Sequence, residues 1–430
     1  MTDQVIREQL ANGLTVLLKE IHSAPLVTHW VWYRAGSRNE RPGETGISHL
    51  VEHMQFKGTP RFPARVLDKA ISRTGGIWNA FTSMDWTAYF ETLPARDADL
   101  ALDLESDRMI GSTFDPHEFD SERTVVISER EGNENEPFFR LHEAVQEAAF
   151  SKHPYKHEVI GYLEDLRNVT RDQLYAYYRS HYAPSNAVVG IAGDFNAQEM
   201  LEKVQTRFGQ LPSAPAPRDT IPQETAPLDG EKRVEVQGPG ETTFLEVAYR
   251  APAGSDPQFF TSLVMDSLLS GPSSLRVFGG ATSNRTSRLY KALVERDLAI
   301  NVSGDVEPTI DPYLYTISLT VRPGVSPEVV LRALDDELRR LREEPVSEEE
   351  IQKAIKQARA FFVYGNENVT NQGFWLGHAE MFATYQWFEN YLDSIARVTA
   401  DDIHQLAQTM LNPTQRVIGT YLPWEKEDQP

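Results

Sequence analysis

The sequence predicts an α+β protein of two domains, each a mixed sheet with helices packed on one face. Three observations lead there. The chain has 430 residues, more than one hydrophobic core normally organises. Short apolar runs of strand character alternate with longer helical stretches. The two halves also echo each other. Val169-Thr170-Arg171-Asp172 matches Val398-Thr399-Ala400-Asp401, Pro184 matches Pro413, Val188 matches Val417 and Gly190 matches Gly419, all at one ungapped offset of 229 residues. A further echo pairs Asp85-Trp86-Thr87-Ala88-Tyr89 with Asp311-Pro312-Tyr313-Leu314-Tyr315.

The elements of the first half follow in order. Leu14–Leu18 and Val27–Tyr33 are rich in branched and aromatic residues and predict strands. Residues 45–56 predict a helix, with Thr45-Gly46-Ile47-Ser48 as the turn and cap before it. Residues 64–74 predict another. Residues 77–92, full of aromatics and threonine, predict a strand hairpin. Helices are expected over 96–111 and 116–149, and a closing strand over 187–194. The stretch from Leu211 to Gly230 is Pro-rich and polar, which reads as a linker. The domains expected are therefore 1–212 and 233–430, joined by 213–232.

Composition narrows the function. Hydrophobic residues at 40% suffice for sizeable cores, and no apolar run is long enough to span a membrane. A formal net charge of -21 argues against nucleic-acid binding and would favour cationic peptides. No basic stretch followed by an apolar one opens the sequence, which favours the cytoplasm, or the periplasm if a leader has been removed. There is no cysteine, so any metal must be held by His, Glu or Asp.

The chemistry concentrates in His49-Leu50-Val51-Glu52-His53. On a helix, histidines four apart share one side, and Glu52 falls beside them within an arc of roughly 100°. Two neutral imidazoles can hold a metal, and a carboxylate next to them can take a proton from water. The order is H-x-x-E-H, that of the inverted zinc peptidases. The plain alternative is a polar helix face with two solvated histidines. A catalytic zinc needs a third protein ligand, and the acidic run Ser128-Glu129-Arg130-Glu131 could supply it. His153 and His157 are also four apart, but Pro154 opposes a shared helix face. The aromatic stretch from Phe374 to Phe388 reads as core packing.

The chain resembles the pitrilysin (insulinase) family of zinc peptidases, in the short-chain branch that includes the mitochondrial processing peptidase β subunit. The resemblance runs through Gly36-Ser37-Arg38-Asn39-Glu40, then Thr45 to Thr59, then Asn79-Ala80-Phe81-Thr82-Ser83. It continues through His153-Pro154-Tyr155, Tyr182 to Ala187 and Gly193-Asp194-Phe195. It implies two homologous α/β roll domains facing each other across a chamber, the second without metal ligands. It implies one zinc per chain on His49, His53 and Glu129, which stands at the family's third-ligand position, 76 residues after His53. Glu52 would be the general base. Glu122, two helical turns before Glu129, would either bond a ligand histidine or be an ordinary solvated charge. The strand at Asn79, Ala80 and Phe81 would pair with an extended peptide substrate; the other reading makes Phe81 a core residue.

One departure matters. Complete family members carry in their second half an Arg and a Tyr that hold the substrate backbone and oxyanion. Here those positions are Val294 and Ile300, which donate no hydrogen bonds. The resemblance then implies a homologous partner subunit carrying the Arg/Tyr pair. A self-sufficient homodimer using Arg288 or Tyr290 is the alternative, and a non-catalytic scaffold subunit a further one.

Overall fold

The computed structural model describes residues 5–212, 215–217, 219–224, 228–271 and 285–424. Six strands come from the first half: β1 (Ile6–Gln9), β2 (Thr15–Glu20), β3 (Leu26–Tyr33), β4 (Ile77–Thr82), β5 (Thr87–Pro94) and β6 (Ala187–Gly193). Eight helices accompany them: α1 (Ile47–Gln55), α2 (Ala64–Thr74), α3 (Ala98–Gly111), α4 (Pro116–Asn133), α5 (Pro137–Ala149), α6 (Leu163–Asn168), α7 (Arg171–His181) and α8 (Ala197–Phe208). The second half adds β7 (Lys232–Gly238), β8 (Phe244–Arg250), β9 (Ala299–Val306), β10 (Leu314–Val321) and β11 (Arg416–Pro423). Its helices are α9 (Gln258–Leu269), α10 (Pro327–Glu343), α11 (Glu348–Gly365), α12 (Val369–Phe382), α13 (Tyr385–Glu389), α14 (Tyr391–Ala396) and α15 (Ala400–Met410).

The repeat read from sequence is a repeat of topology. One sheet runs β1-β2-β6-β3-β5-β4 and the other β7-β11-β8-β10-β9. In each, the closing strand makes the one parallel pairing, β6 with β2 and β11 with β7, and the other pairings are antiparallel. Thr170 and Thr399 head α7 and α15 with the same capping box: each hydroxyl accepts the backbone N–H three residues on. The two α/β domains of mixed sheet and helix expected from the sequence are observed, but the first sheet carries helices on both faces and not one: His29 of β3 packs on Phe208 of α8 and its neighbour Trp30 on Phe374 of α12.

The chain gathers into two compact units, and these are not its two sequence halves. The first comprises Met1–Glu131, His157–Pro222 and Asn366–Tyr385; the second comprises Gly132–Lys156, Gln223–Gly365 and Gln386–Pro430. Each sheet thus receives one helix from the other half of the sequence. In the first unit α12 lies across β3, β6 and β2; in the second α5 lies across β11, β7 and β8. The sequence predicted a single helix over 116–149. It breaks because Pro137 disfavours helical backbone at Glu136, which is extended at φ -87°, ψ 115°.

Glycine lets these helices close on the sheets. A Cβ on Gly377 of α12 would lie 2.1 Å from Trp32 Cδ1, and one on Gly373 would lie 2.4 Å from Thr28 Cγ2. In the second unit the sheet supplies the gap: a Cβ on Gly419 would lie 2.5 Å from Val145 Cγ2 of α5. The echoed pair Gly190 and Gly419 therefore marks where each sheet meets its visiting helix. Around α12 the rings of Trp30, Trp32, Phe374 and His378 form the core, with Trp32 to Phe374 at 5.0 Å. The aromatic stretch is packing, as its composition predicted. Among the described residues, no helix is long and apolar enough to cross a membrane.

The described part of the linker stretch has no regular structure but is tied down. Within the first unit, Asp219 accepts hydrogen bonds from Asn39 (2.9 Å) and His181 (3.1 Å). Within the second, Glu224 accepts the backbone N–H groups of Ser151, Lys152 and His153.

Candidate metal centre

Helix α1 starts where the backbone turns left-handed at Gly46, φ 83°. A Cβ there would also strike Ile160 O at 2.3 Å, so glycine is required twice over. The expected cap does not come from Thr45 or Ser48. Thr45 Oγ1 instead donates to Asp165 at 2.7 Å. The cap is Glu40, whose two carboxyl oxygens accept the N–H groups of Gly46 and Ser48, both at 2.8 Å. Sequence reasoning missed it because Glu40 stands six residues before the helix cap, outside any local capping pattern.

The helix then presents His49 and His53 together, with ring centroids 4.6 Å apart. Glu129 reaches them from α4. Its Oε2 lies 3.6 Å from His53 Nε2 and 3.9 Å from His49 Nε2. These three donor atoms all lie within 4.8 Å of one another, and no other group of three possible ligands does so among the described residues. Donors around a tetrahedral zinc sit about 3.3 Å apart. Two imidazoles and a carboxylate at these distances therefore fit a zinc ion with a small contraction, leaving its fourth position open.

The charge state of His49 suits that fit. Burial holds the His49 ring down to about 3, so it is neutral with a lone pair to give. Burial would lower His53 too, but a hydrogen bond to Glu122 and the charges of Glu52, Glu122 and Glu129 outweigh it and raise it. Glu122 Oε1 lies 2.8 Å from His53 Nδ1, which turns Nε2 toward Glu129. Of the two readings of Glu122, the geometry favours the bonded one. Glu52 is 9% exposed; burial raises its pKa, partly offset by Thr82, whose hydroxyl donates to Oε2 at 2.6 Å. A carboxyl so placed is poised to take up a proton.

Thr82 ends β4, which is the last strand of its sheet. On β4, Asn79 is exposed, Ala80 buried and Phe81 half-buried, stacked on Phe90 at 6.1 Å. In the second unit, Val294 ends a π-helical turn over Tyr290–Val294, and Ile300 stands 54% exposed on β9, last in its own sheet. Arg288 is engaged, with Nε and Nη2 each 3.1 Å from an oxygen of Glu350. Gly279-Gly280-Ala281-Thr282-Ser283, a glycine-rich run that reads from sequence as a flexible loop, lies outside the described residues.

Known proteins resemble this chain over most of its length. The family model described as insulinase (peptidase family M16) matches residues 15–162, and the one described as the peptidase M16 inactive domain matches 168–358. An uncharacterized zinc protease of Streptomyces coelicolor is 28% identical over 425 residues, covering 96% of this chain and 89% of that one. A protein of Arabidopsis thaliana bearing the name mitochondrial-processing peptidase subunit beta is 30% identical over 298 residues, 68% of this chain and 56% of that one. The crystal structure of a protease from Helicobacter pylori superposes with a TM-score of 0.91 at 24% identity, covering 98% of this chain and 100% of that one. The chain belongs to the insulinase, or pitrilysin, family of peptidases, M16.

Proposed function

We propose that this chain is a zinc-dependent endopeptidase subunit, holding one zinc on His49, His53 and Glu129 and hydrolysing extended peptides. The observation that carries this reading is the meeting of the three donor atoms beside a buried Glu52. A bound zinc would polarise a peptide carbonyl and acidify water. The chain's own residues do the rest. Glu52 accepts the proton of the attacking water and delivers it to the leaving amine. Thr82 fixes the Glu52 carboxylate against the end of β4. The free edge of β4 pairs with an extended peptide, with Asn79 directed to substrate and Ala80 and Phe81 setting the strand. The net charge of -21 favours basic peptides.

The subunit works with a homologous partner that brings an Arg/Tyr pair. Supporting this, Val294 and Ile300 offer no donor, and Arg288 is occupied by Glu350. That engagement weighs against the self-sufficient homodimer, and an intact donor set weighs against a pure scaffold.

The test is cleavage of a quenched, unstructured peptide of roughly ten residues, long enough to pair along an edge strand, by the purified, zinc-quantified chain. Glu52→Gln is the control. Bound zinc with negligible cleavage, restored by a homologous chain bearing the Arg/Tyr pair, is the expected result. Strong cleavage by the chain alone removes the partner from the proposal. Cleavage that survives Glu52→Gln removes Glu52 as the base. A chain that binds no zinc ends the proposal.

A further inference from the structure

The carboxylate that bonds His53 is itself held from the other side. Glu122 Oε1 faces His53 Nδ1 at 2.8 Å, while Glu122 Oε2 is bonded by the ammonium of Lys57. We propose that Lys57 is a positioning residue for the metal centre: it pins Glu122, and through Glu122 it sets the tautomer and ring angle of His53. This rests on the zinc reading above.

Several features make the contact a built one. Lys57 stands two residues past the end of α1, and its N–H bonds Met54 O at 3.0 Å, so the last turn of the ligand-bearing helix carries it. The next residue, Gly58, is left-handed at φ 91°, and a Cβ there would lie 2.5 Å from Ala64 N. Only glycine lets the chain turn away at that point. Beyond it, Thr59 N bonds Phe62 O at 3.0 Å and Phe62 N bonds Thr59 Oγ1 at 2.8 Å, while the same hydroxyl donates to Asp107 of α3. Gly58 O accepts Thr113 N, in the connection from α3 to α4, at 3.4 Å. The turn is thereby fastened to the segment that leads into α4, which carries both Glu122 and Glu129.

The chemistry follows from the count of partners. A carboxylate has two oxygens, and here each has one cationic or N–H partner. With Lys57 in place, the plane of Glu122 is fixed, so His53 keeps its proton on Nδ1 and its lone pair on Nε2. Without it, Oε2 turns to water and the carboxylate rotates. His53 then samples ring angles and tautomers in which Nε2 no longer faces Glu129. A generic surface ion pair would have no such reach, and its loss would cost little.

The test is a double-mutant cycle read as zinc affinity, measured by competition with a chromophoric chelator on the full chain. Outer partners of metal ligands typically set affinity by 10–100-fold. Lys57→Met should therefore weaken zinc binding by about tenfold, and Lys57→Arg, which keeps a donor and the charge, should recover most of it. In a Glu122→Gln background, Lys57→Met should add little. Lys57→Met binding zinc as tightly as wild type overturns the proposal. So does an equal loss in both backgrounds, since Lys57 would then act without Glu122. If Lys57→Met unfolds, Lys57→Gln takes its place in the same cycle, and either no loss or an equal loss in both backgrounds overturns the proposal. A wild-type chain that holds no zinc overturns the zinc reading and this inference together. Zinc held equally by wild type and Lys57→Met overturns this inference alone.

Discussion

Gly377→Ala tests how α12 sits on its sheet. In an ordinary helix interior the change is favourable by about 1 kcal/mol, because alanine is the better helix former. Here the new Cβ would lie 2.1 Å from Trp32 Cδ1 and 2.2 Å from its Nε1. The indole cannot retreat. It is fully buried and hemmed in by Trp30, Trp86, Phe374 and His378, with ring centroids at 5.4, 4.8, 5.0 and 5.6 Å. Overpacking of a rigid core costs about 1–3 kcal/mol, and an overlap this deep belongs at the upper end. The net expectation is destabilisation of about 2 kcal/mol. The assay is urea unfolding followed by tryptophan fluorescence, since Trp30, Trp32 and Trp375 lie in or beside the contact. The transition they report is the one to compare, because two units need not unfold as one. A Gly377→Ala protein as stable as wild type would refute the close seating of α12.

Other outcomes follow from the same structure. Glu129→Gln should cost zinc affinity more than about a hundredfold, beyond what changes in outer partners cost, as read by chelator competition. Glu40→Ala leaves two buried N–H groups of α1 without acceptors and should destabilise by about 2 kcal/mol, seen as a lower urea midpoint. Glu224 is only slightly buried, and three backbone N–H groups with the Ser151 hydroxyl hold it down to about 2 against an ordinary 4.5. Its contribution is therefore present above about 4.5 and lost as pH falls toward 2. Thermal melts of Glu224→Gln should lose stability relative to wild type at neutral pH and converge with it near pH 2.

The sequence carried much of this, and the gaps have physical reasons. The strands from β2 to β6 fall within two residues of their expected positions, because each alternates or runs apolar in a way local pattern reports. His49, His53 and Glu129 meet as the motif and the family spacing implied. The exchange of α5 and α12 could not be read, because periodicity shows that a helix has a buried face but not which sheet it meets. The break at Pro137 is legible from the proline itself, although the helical character on either side of it runs on. Glu40 acts six and eight residues on, outside any local capping pattern, while Thr82 and Lys57 act on residues that sequence distance hides, as Thr82 does on Glu52 across 30 positions.

The visiting helices also order events in time. A ribosome releases the strands of the first sheet by residue 193, yet the helix that covers β3 and β6 begins only at Val369. Until some 175 further residues have emerged (an interval of roughly ten to thirty seconds at ordinary synthesis rates), Trp30 and Trp32 lack Phe374 and His378 as neighbours. The nascent chain must therefore wait, with an aromatic face bare, for Val369–Phe382 to be made. A chaperone that shields that face during translation would act on a defined and predictable window, and a truncation before residue 369 would leave it open permanently.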